Sequence, residues 1–387
     1  MGHGQSILTV QSEFRYVCDM AASYQTLPAE LYRSHEVYER EIDTVFRRSW
    51  ACAGRAEYVA EPGAYHATDV AGQNIVIVRD HDGTLRAFHN VCRHRGALLC
   101  DAGTGTLKRA IKCPYHAWAY GLDGELIGTP NVRPDEIDRS QYGLHGLPIA
   151  EWEGTLFVDI GGNAGPFDDY IASHDDDPLY LTRFNLGDLR IARTTTRDVQ
   201  ANWKIVVENY RECLHCPTVH PELVDMIPAY RSGGVQEADP RGDYGVGIKP
   251  GASALTLSGA TTVPPLPGLS EEEGLSVYGA YLFPNCMIDI NGTYANLTTL
   301  LPRSEHSTIV VTDYLLPPDV IADPALATGL DALVEFMEIV IDQDTVVAER
   351  TQQGIGSRAF DRGVYPEKDA ALHAFNERYR QLVAGAE

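Results

Sequence analysis

The chain has no apolar run long enough to cross a bilayer, no excess of positive charge, and no Gly-x-Gly-x-x-Gly turn between a strand and a helix. Each absence excludes something. A membrane-spanning helix needs about 20 consecutive apolar residues, so no membrane role is expected. Lys and Arg number 31 against 54 Asp and Glu, a net charge of −23. Nucleic acid, whose phosphates require basic patches, is therefore not an expected partner. Without the Gly-rich turn there is no seat for a nicotinamide or flavin. Met1 to Val10 lack a basic region ahead of their short apolar stretch, so they do not read as a secretory signal. The 8 cysteines show no framework spacing, which fits a reducing cytoplasm. No internal repeat is present, and 387 residues are enough for about two to three domains.

What is present is concentrated chemistry. Cys92-Arg-His94 is followed, after eighteen residues, by Cys113-Pro-Tyr-His116. Each half offers one thiolate and one imidazole. That set suits a [2Fe–2S] cluster with two cysteines on one iron and two histidines on the other, an arrangement that raises the potential of the cluster. A structural zinc site would instead open with two cysteines close together, followed by a histidine pair. Trp118 and Tyr120 are expected to pack over the cluster. Arg93 and Arg95 are expected either at a subunit interface or in solvent.

A second constellation lies downstream. Asn202-Trp-Lys204 precedes Val207-Glu-Asn-Tyr-Arg-Glu-Cys-Leu-His-Cys-Pro-Thr-Val-His220. On one helix Glu208, Glu212 and His215 share a face, and Pro217 breaks that helix. The break lets His220 swing back beside His215, whereas on an unbroken helix the two would point about 140° apart. Two histidines and one carboxylate form a facial triad that leaves positions on Fe(II) for dioxygen and substrate. The late helix offers Asp342 and Asp344. Asp344 falls with the apolar residues Leu333, Met337, Val340 and Ile341, while Asp342 aligns with Glu335, Glu338, Thr345 and Glu349. Asp344 is the expected ligand and Asp342 the solvated acid. Glu212, on the ligand face, is expected to hold His215 in orientation. Asn209 and Tyr210 are expected to shape the pocket, with helix packing as the alternative for Asn209. Cys213 and Cys216 are read as an incidental Cys-x2-Cys.

Cys92-Arg-His-Arg-Gly96 and Cys113-Pro-Tyr-His-Ala-Trp118 resemble the Rieske domain of ring-hydroxylating oxygenases. The Asn-Trp-Lys to His220 segment resembles the catalytic domain of the same family, Rieske non-haem iron oxygenases. Glu212, with Glu-Cys-Leu-His-Cys-Pro-Thr-Val-His-Pro221, is most similar to the choline, carnitine and glycine-betaine monooxygenase branch. The resemblance implies a terminal oxygenase subunit and an α+β fold. A small all-β Rieske domain stands beside a helix-grip-like catalytic domain with an antiparallel sheet and flanking helices. It further implies a homo-oligomer, a trimer, in which Glu212 bridges a cluster histidine of one subunit and an iron histidine of the next. Electrons from NAD(P)H arrive through a separate reductase or ferredoxin. The implied reaction uses O2 to demethylate or monooxygenate a quaternary or tertiary amine. Tyr210, Tyr278, Tyr281 and Tyr294 are candidates for an aromatic cage. The alternatives are hydroxylation or cis-dihydroxylation of an aromatic substrate, and an electron-transfer protein with no oxygenase activity.

The expected divisions are 1–48 for an N-terminal segment and helix, 49–160 for the cluster domain and 161–387 for the catalytic domain. Residues 1–33 are expected to be an extended lead-in, followed by a helix capped by Ser34. Strands are predicted at Gln73–Arg79, Glu153–Asp159 and Leu189–Val199, with hairpin turns at Asp82-Gly83 and Asp123-Gly124. A helix is predicted near Asn202 and long loops over 232–275. Four strands follow, at Ser276–Phe283, Cys286–Ile290, Ala295–Leu301 and Thr308–Leu316. A long helix is predicted over Pro324–Gln353.

Overall fold

Short apolar runs broken by Asp-Gly turns fold as antiparallel strands in the first half of the chain. The computed structural model describes residues 25–174, 178–233, 245–366 and 369–384. Two helices, α1 (Glu30–Arg33) and α2 (His35–Thr44), come first. Ser34 caps α2 by accepting from the Val37 amide, as its position predicted. Of the expected lead-in, residues 1–24 lie outside the described residues. At 30–33 a helical turn replaces extended chain, because Leu31 and Tyr32 bury there.

Eleven strands follow: β1 (Ala51–Arg55), β2 (Ala64–Val70), β3 (Gln73–Arg79), β4 (Leu85–His89), β5 (Gly103–Thr106), β6 (Ile111–Lys112), β7 (Ala119–Tyr120), β8 (Leu126–Gly128), β9 (Gly146–Leu147), β10 (Ile149–Trp152) and β11 (Thr155–Val158). They pair as three sheets, β5-β2-β3-β4-β9, β6-β7-β8 and β1-β11-β10. Central β3 buries Ile75 through Val78 on both faces, which explains its unbroken β-branched run. Gly83 and Gly124 supply the positive φ (86° and 88°) that the two Asp-Gly turns require.

The second half alternates helices with one large sheet. In order come α3 (Phe167–Ala172), β12 (Arg190–Val199), α4 (Trp203–Tyr210), α5 (Cys216–Val219), α6 (Pro221–Met226), β13 (Val246–Gly247), α7 (Glu271–Gly274), β14 (Ser276–Leu282), β15 (Cys286–Ile290), β16 (Ala295–Ser304), β17 (Ser307–Leu316), α8 (Pro318–Ala322), α9 (Ala327–Ile355) and α10 (Ala370–Ala384). The sheet is antiparallel in the order β12-β17-β16-β15-β14-β13. This is the α+β architecture expected: a small all-β unit and a unit built on one antiparallel sheet with flanking helices.

The expected loop over 232–275 needs correction. Residues 234–244 of it lie outside the described residues. Elsewhere it contains β13 and α7, whose acidic residues form a helical turn rather than a loop. Ser270 and Glu273 close a capping box there. Helix α10 was not expected, although Leu372, Phe375, Tyr379 and Val383 bury one face of it.

Asn202, Trp203 and Lys204 tie these pieces together. Asn202 caps α4 by accepting from the Lys204 amide, and its own backbone amide donates to Gln352 Oε1 on α9 at 2.8 Å. Trp203 packs against Phe46, Phe283, Phe375 and Tyr379. Lys204, fully buried, pairs with Glu41 of α2 at 2.6 Å. Glu41 also accepts from Trp203 Nε1 and Tyr379 OH. A buried charge left unpaired would cost several kcal/mol, on the order of 3–5, so this cluster fixes α4 against both ends of the chain.

Candidate metal centres

The two Cys-x-His and Cys-x-x-His segments occupy loops of the same design. In the first, the Cys92 amide donates to Ala97 O and the Gly96 amide to Cys92 O. In the second, the Cys113 amide donates to Trp118 O and the Ala117 amide to Cys113 O. Each loop turns through a positive φ, 72° at Gly96 and 58° at Ala117. Both cysteines are buried and unbonded to another sulfur. His94 is exposed and His116 half-buried, with ring centroids 4.7 Å apart. Trp118 stacks flat on His94, its centroid 4.5 Å away. Tyr120 OH lies 3.3 Å from Cys92 Sγ and accepts from the Arg93 amide. Local desolvation by the stacked rings, then His116 and Arg95, lower the His94 imidazole and favour its neutral form. Among the described residues, His116 Nδ1 is buried with no hydrogen-bond partner. Two buried thiols and a buried, unsatisfied ring nitrogen fit a [2Fe–2S] ligand set. Arg93 donates to Gly143 O, and Arg95 lies over the Tyr115 ring.

The second constellation departs from the helix expected for it. Helix α4 ends at Tyr210, before Glu212 and His215, so Glu208 and Glu212 do not share a helical face. Glu208 points the other way and accepts from Tyr32 OH (2.6 Å) and Tyr365 OH (3.0 Å). Burial pushes its carboxyl up to about 7. Pro217 opens a new turn, α5, rather than closing the old helix, a position where its missing N–H costs nothing. His215 and His220 flank that turn. Cys213 and Cys216, read as incidental, form a disulfide across the bend, where their Cα atoms stand 5.0 Å apart.

Three ligand-type atoms converge there. His215 Nε2 lies 3.1 Å from His220 Nε2. Asp344 Oδ1 lies 2.9 Å from His220 Nε2 and 3.3 Å from His215 Nε2. With metal–ligand bonds of about 2.1 Å, ligands at right angles sit about 3.0 Å apart, so the triangle fits a facial set of two nitrogens and one oxygen. Cys216 Sγ also comes within 3.9 Å of His215 Nε2, but its sulfur is committed to Cys213. Asp342 stands on the outer side of α9, 70% exposed, and pairs with Arg197.

Each member is held by a neighbour. Glu212 Oε1 meets His215 Nδ1 at 2.5 Å, and its Oε2 accepts from the Leu214 amide. Asn209 Nδ2 donates to Asp344 Oδ1 at 2.7 Å. Gln343 Oε1 lies 2.8 Å from His220 Nδ1, which must carry the proton because an amide oxygen only accepts. That tautomer leaves the His220 Nε2 lone pair free. Burial opposes protonation of His215, yet Asp344 and Glu212 carry its imidazole up to about 9. Burial also opposes ionisation of Asp344, but the two imidazoles and Asn209 outweigh it and hold the carboxyl low. Gln343 was missed in the sequence. It adjoins Asp344, but nothing in its own pattern marks it.

The triangle opens on a cavity of about 870 Å³ between the sheet and helices α4 and α9. Tyr210, Tyr278 and Tyr281 line it, as does Tyr230, which the sequence did not single out. Tyr294 is absent from the wall and packs on Tyr314 in the core. Asp289, also unforeseen, lines the cavity from β15.

A cluster-binding β unit joined to an enclosed triangle of two imidazoles and a carboxylate describes an iron oxygenase that carries its own electron relay. Residues 49–150 match the Rieske [2Fe-2S] domain, and residues 186–385 match the ring hydroxylating alpha subunit (catalytic domain). The chain belongs to the ring-hydroxylating alpha subunit family: it is a Rieske non-haem iron oxygenase, an oxidoreductase whose cofactors are a [2Fe–2S] cluster and a mononuclear iron. It is 30% identical over 372 residues to the glycine betaine monooxygenase oxygenase subunit of Chromohalobacter salexigens, covering 88% of this chain and 81% of the relative. It is 29% identical over 341 residues to the carnitine monooxygenase oxygenase subunit of Escherichia coli K12, covering 87% and 85%. The solved structure of a quaternary ammonium Rieske monooxygenase, reported with carnitine oxidation by gut microbiota and inter-subunit electron transfer, superposes with a TM-score of 0.74 at 25% identity, covering 94% of this chain and 97% of that one. Among the described residues, no helix is long and apolar enough to cross a membrane.

Proposed function

We propose that this chain is the terminal oxygenase of a cytoplasmic system that oxidises a carbon bound to the nitrogen of a quaternary or tertiary amine. The reaction consumes O2, two electrons and two protons and yields water and an N-hydroxyalkyl product. That product separates into an aldehyde and the dealkylated amine. The observation that carries this reading is the tyrosine-walled, acid-bearing cavity that opens on His215, His220 and Asp344. Similarity to glycine betaine and carnitine monooxygenase subunits supports it.

Cys92, His94, Cys113 and His116 would hold the cluster, and His215, His220 and Asp344 the single iron. When bound, the two centres supply one-electron transfer and activation of dioxygen. The rest falls to the chain's own groups. Glu212 fixes the His215 ring through Nδ1, Gln343 fixes His220, and Asn209 fixes Asp344. Exposed His94 and partly exposed Glu212 suit contact between neighbouring copies of a homo-oligomer, taken as a trimer, with Glu212 of one copy meeting a cluster histidine of another. No nicotinamide seat was found in the sequence, so electrons come from a separate NAD(P)H-dependent reductase or ferredoxin. The cavity walls exclude water and place the substrate. Residues 49–160 serve as the cluster domain, 161–387 as the catalytic domain, and the N-terminal segment braces the latter.

Incubation with choline, glycine betaine or L-carnitine, O2, NADH and a compatible reductase should release aldehyde in step with O2 uptake. No aldehyde from any of them, together with turnover of an aromatic acid, would overturn the proposal. Two irons per chain instead of three would also overturn it, since that is the content of a simple carrier.

A further inference from the structure

Resting on the amine reading above, we propose that Asp289 is the counter-ion for the substrate's cationic nitrogen, so that the cavity selects a positively charged nitrogen over an uncharged group of the same shape. Asp289 projects from β15 on the sheet face that lines the cavity. Among the described residues its carboxylate accepts two hydrogen bonds, both from neutral groups: Tyr210 OH at 2.8 Å and Asn296 Nδ2 at 3.0 Å. Among the described residues it makes no ion pair with Lys, Arg or His. Glu41 has Lys204, Glu338 has Arg197, and Asp344 has two imidazoles; among the described residues Glu208 and Asp313 also bond only to neutral groups, but unlike Asp289 neither lines the cavity.

A hydrogen-bonded brace between α4 and the sheet would need no charge, and a carboxylate enclosed among neutral partners is costly. A cation entering the cavity recovers that cost. Burial pushes the Asp289 carboxyl up only to about 6, which leaves it ionised at neutral pH. The residue opposite it in the sheet is Gly279. A methyl group there would stand 3.1 Å from Asp289 Oδ1 and 3.2 Å from Tyr210 OH. Glycine thus keeps the approach to the carboxylate open. Tyr210 and Tyr230 add ring faces that favour a cation.

The test measures anaerobic binding to the holoenzyme by calorimetry. Tetramethylammonium and choline are the cations, and 3,3-dimethylbutan-1-ol is the uncharged isostere of choline. Wild type should prefer choline over the isostere on the order of 10- to 100-fold, the span of a hydrogen-bonded charge. Asp289→Asn should lose that preference while keeping the isostere's affinity, the visible spectrum and the iron content. If Asp289→Asn does not fold, Tyr210→Phe removes one neutral partner and should raise the preference severalfold. An unchanged ratio in whichever variant folds would overturn the assignment, as would wild type that binds no cation. Cation binding without aldehyde release would leave Asp289 assigned and remove the dealkylation reading. Dealkylation with identical KM in wild type and Asp289→Asn would do the reverse.

Discussion

The cluster loops combine two histidines with two thiols and the iron triangle combines two histidines with one carboxylate, yet the two sets stand in opposite surroundings. In the β unit the cysteines are buried and the imidazoles face outward, with Tyr115 beside them 58% exposed. In the helical site His220 is 1% exposed and all three ligand-type side chains line the cavity. A centre that hands on charge gains from an edge another protein surface can reach. A centre where dioxygen meets substrate gains from exclusion of water. The contrast reaches the backbone. The β loops are closed by their own amides and carbonyls. The iron triangle is assembled from two distant segments and depends on Glu212, Gln343 and Asn209 to aim it.

The sharpest way to break this pairing is Asp344→Ala. It should abolish oxygenation and lower iron from three to two per chain while the visible cluster spectrum persists. Asp342→Ala, at the surface, should change activity less than about twofold, and equal loss in both variants would refute the assignment. Next in size is the pH response of the catalytic half through Glu208. Its carboxyl moves from an ordinary 4.5 to about 7, so between those values the unfolded chain releases a proton that the folded chain keeps. Stability should therefore fall as pH rises through that window, by about 3 kcal/mol at most, and level off above it. The wild-type urea midpoint should be lower at pH 8 than at pH 5, and Glu208→Gln should gain relative to wild type at the higher pH. Parallel behaviour would show that the two tyrosines already satisfy the charged form.

Glu212→Gln comes third. Both metals should remain bound and substrate affinity should hold, while single-turnover delivery of electrons to the iron slows by roughly 10- to 100-fold. Unchanged delivery would mean that another residue joins the two regions. The smallest effect tests the likeness of the two β loops. Ala117 occupies the left-handed position that glycine fills in the first loop, at a cost of about 1–2 kcal/mol. Ala117→Gly should leave the spectrum unchanged and shift the thermal midpoint upward by no more than a few degrees. A spectral change would mean that the methyl group shapes the cluster pocket itself.

Legibility followed the distance over which each feature is encoded. The cluster loops are contiguous, so residue spacing alone revealed them. Asp344 and Asp342 separated by helical period because α9 runs unbroken past both. The helix expected through Glu212 failed where tertiary partners won: Tyr32 and Tyr365 draw Glu208 inward, and the chain leaves the helix at Arg211. Asp289 and Tyr230 could not be read in advance. Their place in the cavity depends on the register of β14 against β15 and on the packing of segments far apart in sequence. The unforeseen α10 had a clear apolar period, and the acidic turn of α7 had a capping box that its loop-like composition concealed.

The clasp around Trp203 sets an order of events during synthesis. Glu41 and Lys204 are both made before the sheet is finished, but Phe375 and Tyr379 leave the ribosome only after it. Until they arrive, the socket of Trp203 lacks a wall and Glu41 lacks one of its donors. The core around the cluster loops closes within residues 65–144, so it can mature while the remainder is still being translated. A nascent chain stalled short of residue 370 should therefore acquire colour before it acquires a seat for the second metal.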